Sequence, residues 1–513
     1  MNATGPNQRR VIFAASLALL SVWLVGLFYL WTAHASLGFN HLLHNKPHSI
    51  NYDMLALGFL NGQVQLLEEP GPAILALEDP YDPEQNRATG PMYDASLYKG
   101  HHYLYFGAVP VLTFHLPYRL IFGELGSEPL GTWFFSILGF LAIAVFIFEL
   151  WRLFAPTSNV AWVPLGILLI GLGNVFAFGQ RGVQLYQTAI YCGVAWMMWT
   201  LVLLQRALAA DREVAPGGAR LLALWVGASF CSALAMGSRP TLIVSFVPVL
   251  LVFFLRHRRR LLEGPRRWLD RGFQREFAAA VVPWLLCLIA QGAYNYARFE
   301  SVFEFGNRYT LNGQINVPKK AVYGAASAVP ANLYLHLFRP IPFKAEFPWF
   351  SFDVFVPAWI PSPTVFYHLE PSGSLTAISP FSLFFWLGLI VLAMRWRRRP
   401  AAFGELRHSL GVFAAVALTG VLVLAEFLIM PLMAARYTVD YATYILVAAA
   451  LLFFMIDQAV LTSKLGRWSW RAAGVLAAVL TVWIGFGISI LGNGDNFRQE
   501  NPRAYDRLAS RFR

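Results

Sequence analysis

Long apolar runs alternate with short polar breaks along this chain. Apolar stretches cover residues 11–31, 131–151, 160–178, 186–207, 220–236, 240–255, 277–296, 376–394, 410–430, 440–457 and 472–491. Each is close to the ~20 residues that a helix needs to cross a hydrocarbon core of ~30 Å. The pattern predicts an all-α polytopic membrane protein of about eleven transmembrane helices. One apolar stretch differs. Tyr103–Phe122 is interrupted by Pro110 and Pro117 and carries His115 and Arg119. It is expected to lie on the outer membrane face or dip into it. The basic breaks Arg256–Arg260 and Arg395–Arg399 then fall on the cytoplasmic side, as the positive-inside bias requires.

Two polar segments are too long to be simple connections. The first outer loop spans residues 33–130. Within it Tyr52–Leu67 reads as an amphipathic helix ending at Asn61-Gly62, followed by the irregular Pro70-Gly-Pro and Asp79-Pro-Tyr-Asp-Pro83. The second, 297–375, is aromatic and proline-rich, which marks an ordered cap rather than a disordered linker. The chain therefore divides into a membrane module with the first loop (1–296), the cap (297–375), C-terminal transmembrane helices (376–495) and a basic tail (496–513). An odd number of crossings puts that tail on the outer side with both loops.

Composition agrees with a membrane chain: 57% of residues are hydrophobic and 13% charged, against about 25% charged in soluble domains. The net charge of +12 does not indicate nucleic acid, because the basic residues sit in short breaks between apolar runs. Cys192, Cys231 and Cys287 each lie inside an apolar run and read as small buried hydrophobes. Arg9-Arg10 precede the first run and put the N-terminus inside. Ala33-His34-Ala35 resembles a signal-peptidase site, but the run before it is longer than a ~7–15-residue signal core. An uncleaved anchor is expected.

The first loop holds Asp53, Glu68, Glu69, Glu78, Asp79, Asp82, Glu84 and Asp94 in a chain otherwise poor in acids. Asp53 opens the predicted loop helix, where an acid either caps the helix or serves as a general base. Asp94 is open to the same two readings. Asp79 and Asp82 fit a structural turn. His101 and His102 are adjacent and diverge on any regular element, a poor spacing for metal ligands. A divalent cation between carboxylates such as Asp53 and Asp94 is left open. Arg239, Arg298 and Arg436 border apolar runs at the outer side. Arginines converging there suit a phosphate, whereas Arg436 and Asp440, four apart, also suit a helical ion pair. Lys99 and His102 complete the candidate phosphate or substrate ligands.

The ordered pattern resembles the GT-C superfamily of integral-membrane glycosyltransferases. It begins with Tyr52-Asp53, then Leu55-Ala56, Asn61-Gly62 and Tyr103-Leu-Tyr-Phe-Gly-Ala-Val-Pro110. After a train of spans come Tyr294-Asn-Tyr-Ala-Arg298 and Arg436-Tyr437. The likeness is to bacterial members related to protein mannosyltransferases and to aminoarabinose and lipopolysaccharide-core transferases. It implies a sugar moved from a polyprenyl-phosphate donor to a hydroxyl of a glycan, lipid or protein acceptor, on the outer face of the bacterial cytoplasmic membrane. Asp53 matches the first-loop acid that acts as base or metal ligand in that family, with Asp94 as its competitor. The alternative function is a transporter or flippase of a lipid-linked or anionic substrate. That reading calls for polar residues at mid-span on broken helices, whereas here the acids concentrate in loops. A third reading is a structural partner in envelope synthesis.

Overall fold

A computed structural model describes residues 6–37, 42–43, 50–92, 94–154, 158–181, 185–210, 218–264, 270–311, 325–352, 356–364, 367–370, 373–396, 407–430, 432–492 and 496–512. The side chains of Ala35, Arg259 and Arg260, and residues 397–399 of the second basic break, lie outside the described residues.

Ten helices among the described residues are long and apolar enough to cross a membrane. The first is α1 (Pro6–Leu37), which leads to the loop helix α2 (Asn51–Leu60). Strands β1 (Ala95–Tyr98) and β2 (His101–Leu104) and the short helix α3 (Leu116–Phe122) follow. The bundle continues with α4 (Glu128–Phe154), α5 (Trp162–Gly173), α6 (Leu185–Ala209), α7 (Ala219–Ser238), α8 (Phe246–Leu262) and α9 (Arg271–Phe299). It closes with α10 (Leu383–Trp396), α11 (Arg407–Leu428), α12 (Thr438–Met455) and α13 (Lys464–Leu491). Helix α6 packs between α4 and α7, α7 against α9, and α12 between α10 and α11. The apolar window of α12 is 94% buried, so α12 is the central helix and not a lipid-facing one.

The run expected at 376–394 forms a shorter helix, Pro380–Arg395. At 1.5 Å per residue it spans about 24 Å, less than a full core. It still connects the two ends of the bundle. Ser379 Oγ donates to the Gly173 carbonyl at the loop end, 2.7 Å away, and Gly388 packs on Leu452 and Ile456 toward the opposite end. Ten of the eleven apolar runs thus form helices of spanning length among the described residues, and the eleventh forms this shorter one. The segment Val111–Phe122 is shorter still, in line with its two prolines.

The bundle is all-α as expected, and the first loop adds a short hairpin to its helices. Lys99 (φ 47°) and Gly100 (φ 82°) form the two-residue turn of a hairpin, and β1 pairs antiparallel with β2. Two successive positive φ angles are the geometry that suits the strand twist. The hairpin also ties the loop to the segment after α9. Ser96 Oγ donates to the Gly306 carbonyl at 2.8 Å, and Leu311 N–H donates to the Ala95 carbonyl at 2.8 Å. A second, parallel pairing of β3 (His368–Leu369) with β4 (Leu432–Met433) joins the cap to the entry of α12.

Candidate active site

Helix α2 carries Asp53 in its first turn, but Asp53 does not cap it. The N-cap is Ile50, without a side-chain hydrogen bond. His115 instead donates from Nδ1 to Asp53 Oδ1 at 2.9 Å, with both side chains essentially inaccessible. The Tyr52 ring stacks on His115 at 5.4 Å. This contact locks the short helical segment 111–122 onto α2, which is why the interrupted apolar run lies where it does. Asp79 and Asp82 accept backbone N–H bonds from Tyr81 and Glu84 at 3.1 and 2.9 Å, the structural turn that the prolines suggested.

Asp94 is half-buried with φ 58°. Its backbone carbonyl accepts from Asn51 Nδ2 at 3.2 Å, so the two loop acids belong to one packed unit. Burial raises the Asp94 carboxyl above its ordinary range, a hydrogen bond from Tyr186 and the charge of Arg436 oppose the rise, and Glu370 adds to it. Arg436 lies over the Tyr186 ring at 4.3 Å. It pairs with Glu370, not with Asp440 as the four-residue spacing allowed. Two features explain this partner. Residues 435–437 form a tight 3-10 turn ahead of α12, and the β3–β4 pairing delivers Glu370, whose N–H donates to the Met433 carbonyl at 2.8 Å.

Asp440 pairs with Arg239 instead, Nη1 to Oδ2 at 2.6 Å. Arg239 ends α7 in extended backbone ahead of Pro240, so its side chain turns across the bundle. The Arg239 and Arg436 guanidiniums lie 5.4 and 5.3 Å from the Tyr437 ring. Two guanidiniums against one ring, each with a carboxylate, form a charged cluster at the loop end. Arg436 Nε and Asp440 Oδ1 are buried with no hydrogen-bond partner among the described residues, and an unsatisfied buried polar atom costs on the order of 1–3 kcal/mol.

The remaining sequence candidates lie apart. Arg298 is 2% exposed, donates to Asn295 Oδ1 at 2.7 Å and to the Leu104 carbonyl, and lies 4.0 Å from the Tyr294 ring. It anchors the hairpin to α9. Lys99 sits at the hairpin tip, paired with Glu300 in solvent. His102 donates from Nδ1 to the Glu68 carbonyl at 3.1 Å, and burial pushes its pKa down. No group of three His, Cys, Asp or Glu side chains among the described residues could hold a metal ion. Asp94 and Glu370 both lie close to the Arg436 charge.

No protein-family model matches the sequence, and no curated protein sequence does. Similarity appears in three dimensions. The crystal structure of the Archaeoglobus fulgidus oligosaccharyltransferase superposes with a TM-score of 0.51 at 12% identity, covering 96% of this chain and 59% of that one. The two chains share a fold. The chain thus spans about three fifths of that oligosaccharyltransferase. Lower-scoring overlaps are the Saccharomyces cerevisiae protein O-mannosyltransferase Pmt1-Pmt2 complex (TM-score 0.47, 11% identity, 96% and 94% covered) and ArnT from Cupriavidus metallidurans (0.40, 13%, 98% and 78%).

Among the described residues, the first loop, the cap and the tail lie at one end of the bundle. Sequence reasoning missed His115 as the partner of Asp53, and Tyr186, Glu370 and Tyr437 as neighbours of the arginines. His115 had a usable signal, a histidine inside an apolar run. Glu370 had none, since only the two-residue parallel pairing with Leu432–Met433 brings it to Arg436.

Proposed function

We propose that this protein is a glycosyltransferase that moves a sugar from a polyprenyl-phosphate donor to an acceptor hydroxyl of a glycan, lipid or protein. The observation that carries the reading is the pair of guanidiniums, Arg239 and Arg436, flanking Tyr437 beside a half-buried first-loop acid in a GT-C-like fold. The donor phosphate is received by Arg436, whose Nε is free for it, with Arg239 adding charge behind the ring. Cations fixed in advance stabilise the negative charge that grows on a departing phosphate.

Asp94 supplies the base. Its raised carboxyl pKa suits proton removal better than an ordinary aspartate does. The acceptor oxygen bonds to the anomeric carbon, the bond from that carbon to the phosphate oxygen breaks, and the acceptor proton passes to Asp94. Asp53 holds the loop through His115. The reacting face is the outer one, because Arg206, Arg256 and Arg471 gather at the opposite end of the bundle, the end that the positive-inside bias assigns to the cytoplasm.

Native mass spectrometry of the protein in mild detergent tests this. Wild type is expected to retain an adduct with the mass of a polyprenyl phosphate or its glycoside, lost in Arg436→Ala and weakened in Arg239→Ala. Failure to bind any of a panel of such lipids would count against a transferase and in favour of a transporter.

A further inference from the structure

A second cluster of arginines lies at the same end of the bundle but away from Tyr437. Arg181 is wholly inaccessible. Its Nε donates to the Ser489 carbonyl, and its aliphatic stem packs on Gly492, where φ is 61° and a Cβ would come within 3.0 Å of Arg181. Nη1 and Nη2 have no hydrogen-bond partner among the described residues. The guanidinium lies instead against two rings, 4.4 Å from Phe497 and 5.5 Å from Trp31. Ring faces compensate a buried cation only in part. Burial accordingly pushes the Arg181 pKa down to about 9, opposed by Glu500.

The same two rings wall a cavity of about 270 Å³ whose other lining residues are Ala504, Arg507, Leu508 and Arg511. Arg507 and Arg511 are four apart and exposed. They project from the tail helix α14 (Pro502–Ala509) and the turn that follows it. Its start is fixed by Asn501, which accepts from the Ala504 N–H at 3.2 Å. Tyr505 and Ala509 bury the opposite side of the helix, and Tyr505 donates to the Phe347 carbonyl at 3.0 Å. The tail is thus docked, with its arginines held over the end of α1.

Trp31 also closes a stripe along α1. Trp23 and Leu27 precede it at four-residue spacing and are 60% and 43% exposed, so one helix face leads from the apolar span to the cavity. From these placements we infer that the Trp31–Phe497–Arg507–Arg511 cavity binds a phosphate group, with Arg181 behind its ring walls, and that the phosphate belongs to an anionic phospholipid. The acyl chains lie along Trp23 and Leu27, the headgroup phosphate takes the two tail arginines, and the Trp31 ring sits at headgroup level as interfacial tryptophans do. The site stands independently of the transferase reading.

The test uses the full-length protein in nanodiscs of zwitterionic lipid, with the melting temperature followed as an anionic glycerophospholipid is titrated in. A parallel titration uses inorganic phosphate without anionic lipid. Wild type is expected to be stabilised by the lipid, with half-saturation at about tenfold or more lower lipid than in Arg507→Ala/Arg511→Ala. Both substitutions are exposed, so folding is preserved. Arg181→Gln is the second variant, expected to weaken the lipid response with the tail arginines intact. Equal stabilisation by inorganic phosphate would support a phosphate site filled from water and overturn the lipid assignment. Identical lipid responses in wild type and the double variant would overturn the site altogether.

Discussion

Arg239 and Asp440 stand 201 positions apart in the chain and 2.6 Å apart in the structure. The pair joins the end of α7 to the start of the central helix α12, and both side chains are buried, 8% and 1% exposed. Breaking a buried pair strands the surviving charge, whereas replacing both partners by apolar side chains removes the desolvation cost along with the attraction. Arg239→Ala is therefore expected to lower stability by about 3–5 kcal/mol, read as a fall in melting temperature in detergent. Arg239→Met combined with Asp440→Leu should recover most of that loss. If Arg239 also serves the donor phosphate, the double variant stays weak in binding the lipid donor. Recovery of donor binding together with stability would show that the pair is only a strut.

Burial, a hydrogen bond from Tyr186 and the charge of Arg436 together set the ionisation of Asp94. Burial raises the Asp94 pKa, and the Arg436 charge limits the rise. With the folded pKa above the unfolded one, the stability contribution of this group is present below the unfolded pKa. It is lost as pH rises through the folded pKa, because ionised Asp94 then has to be desolvated. Activity has the opposite sign, since the base must be ionised. The acid limb of the turnover profile is expected above the ordinary aspartate range and should move further up in Arg436→Gln. A limb that stays in place would separate Asp94 from Arg436.

The loop reaches the arginines through a close approach of two glycines. A Cβ on Gly107 would stand 1.8 Å from the Gly237 carbonyl, and a Cβ on Gly237 would stand 2.7 Å from Val109. Gly237 lies two residues before Arg239, so the loop backbone rests on the end of α7. Gly107→Ala cannot be relieved by a rotamer change, because the clash is with backbone. Overpacking of this kind costs about 1–3 kcal/mol. We expect a lower melting temperature and, from displacement of the loop, a loss of donor binding larger than the stability loss alone explains. Unchanged donor binding at a temperature where the variant is folded would contradict this account.

Lys99 is expected to be dispensable. It pairs with Glu300 at the hairpin tip, where both side chains are more than half exposed, and exposed pairs contribute little. Lys99→Ala should leave melting temperature and donor binding at wild-type values. Lys99→Gly, which suits the positive φ at this turn position, should be tolerated at least as well. A loss of donor binding in Lys99→Ala would return this residue to the phosphate site.

What the sequence made legible was set by period and composition. The spans could be read because burial in lipid demands long uninterrupted apolar runs, and Pro110 and Pro117 marked the run that does not cross. The hairpin at Lys99-Gly100 was overlooked because four-residue strands carry almost no periodic signal, and the alternation of Ala-Ser-Leu-Tyr is masked by aromatic residues on both faces. Partner choice was out of reach. Spacing offered Arg436 with Asp440, four apart, but Arg436 precedes α12 in a 3-10 turn and cannot follow a helical register. Arg239 and Glu370 come from elements 201 and 66 positions away from their partners, and no local rule reports such pairings. Arg298 looked like the other arginines in sequence, yet hydrogen bonds to Asn295 and the Leu104 carbonyl already occupy it.

The two first-loop acids can be told apart by isosteric substitution. Asp94 is half-buried beside Tyr186 and Arg436, whereas Asp53 is 1% exposed and accepts from His115. Asp94→Asn keeps the shape and removes the base. Turnover should fall about 10²–10⁴-fold, the usual worth of general-base catalysis, with retention of the lipid donor unchanged in native mass spectrometry. Asp53→Asn still accepts from His115 Nδ1 through its amide oxygen, so the loop stays in place and the loss should remain under about tenfold. Asp53→Leu removes the acceptor and leaves a buried donor unsatisfied at a cost of about 1–3 kcal/mol, which should appear first in the melting temperature. The reverse ranking, with Asp53→Asn silent in stability and severe in turnover, would assign the base to Asp53. It would also require α2 to open toward the acceptor during the reaction, because in the present arrangement His115 covers that carboxylate.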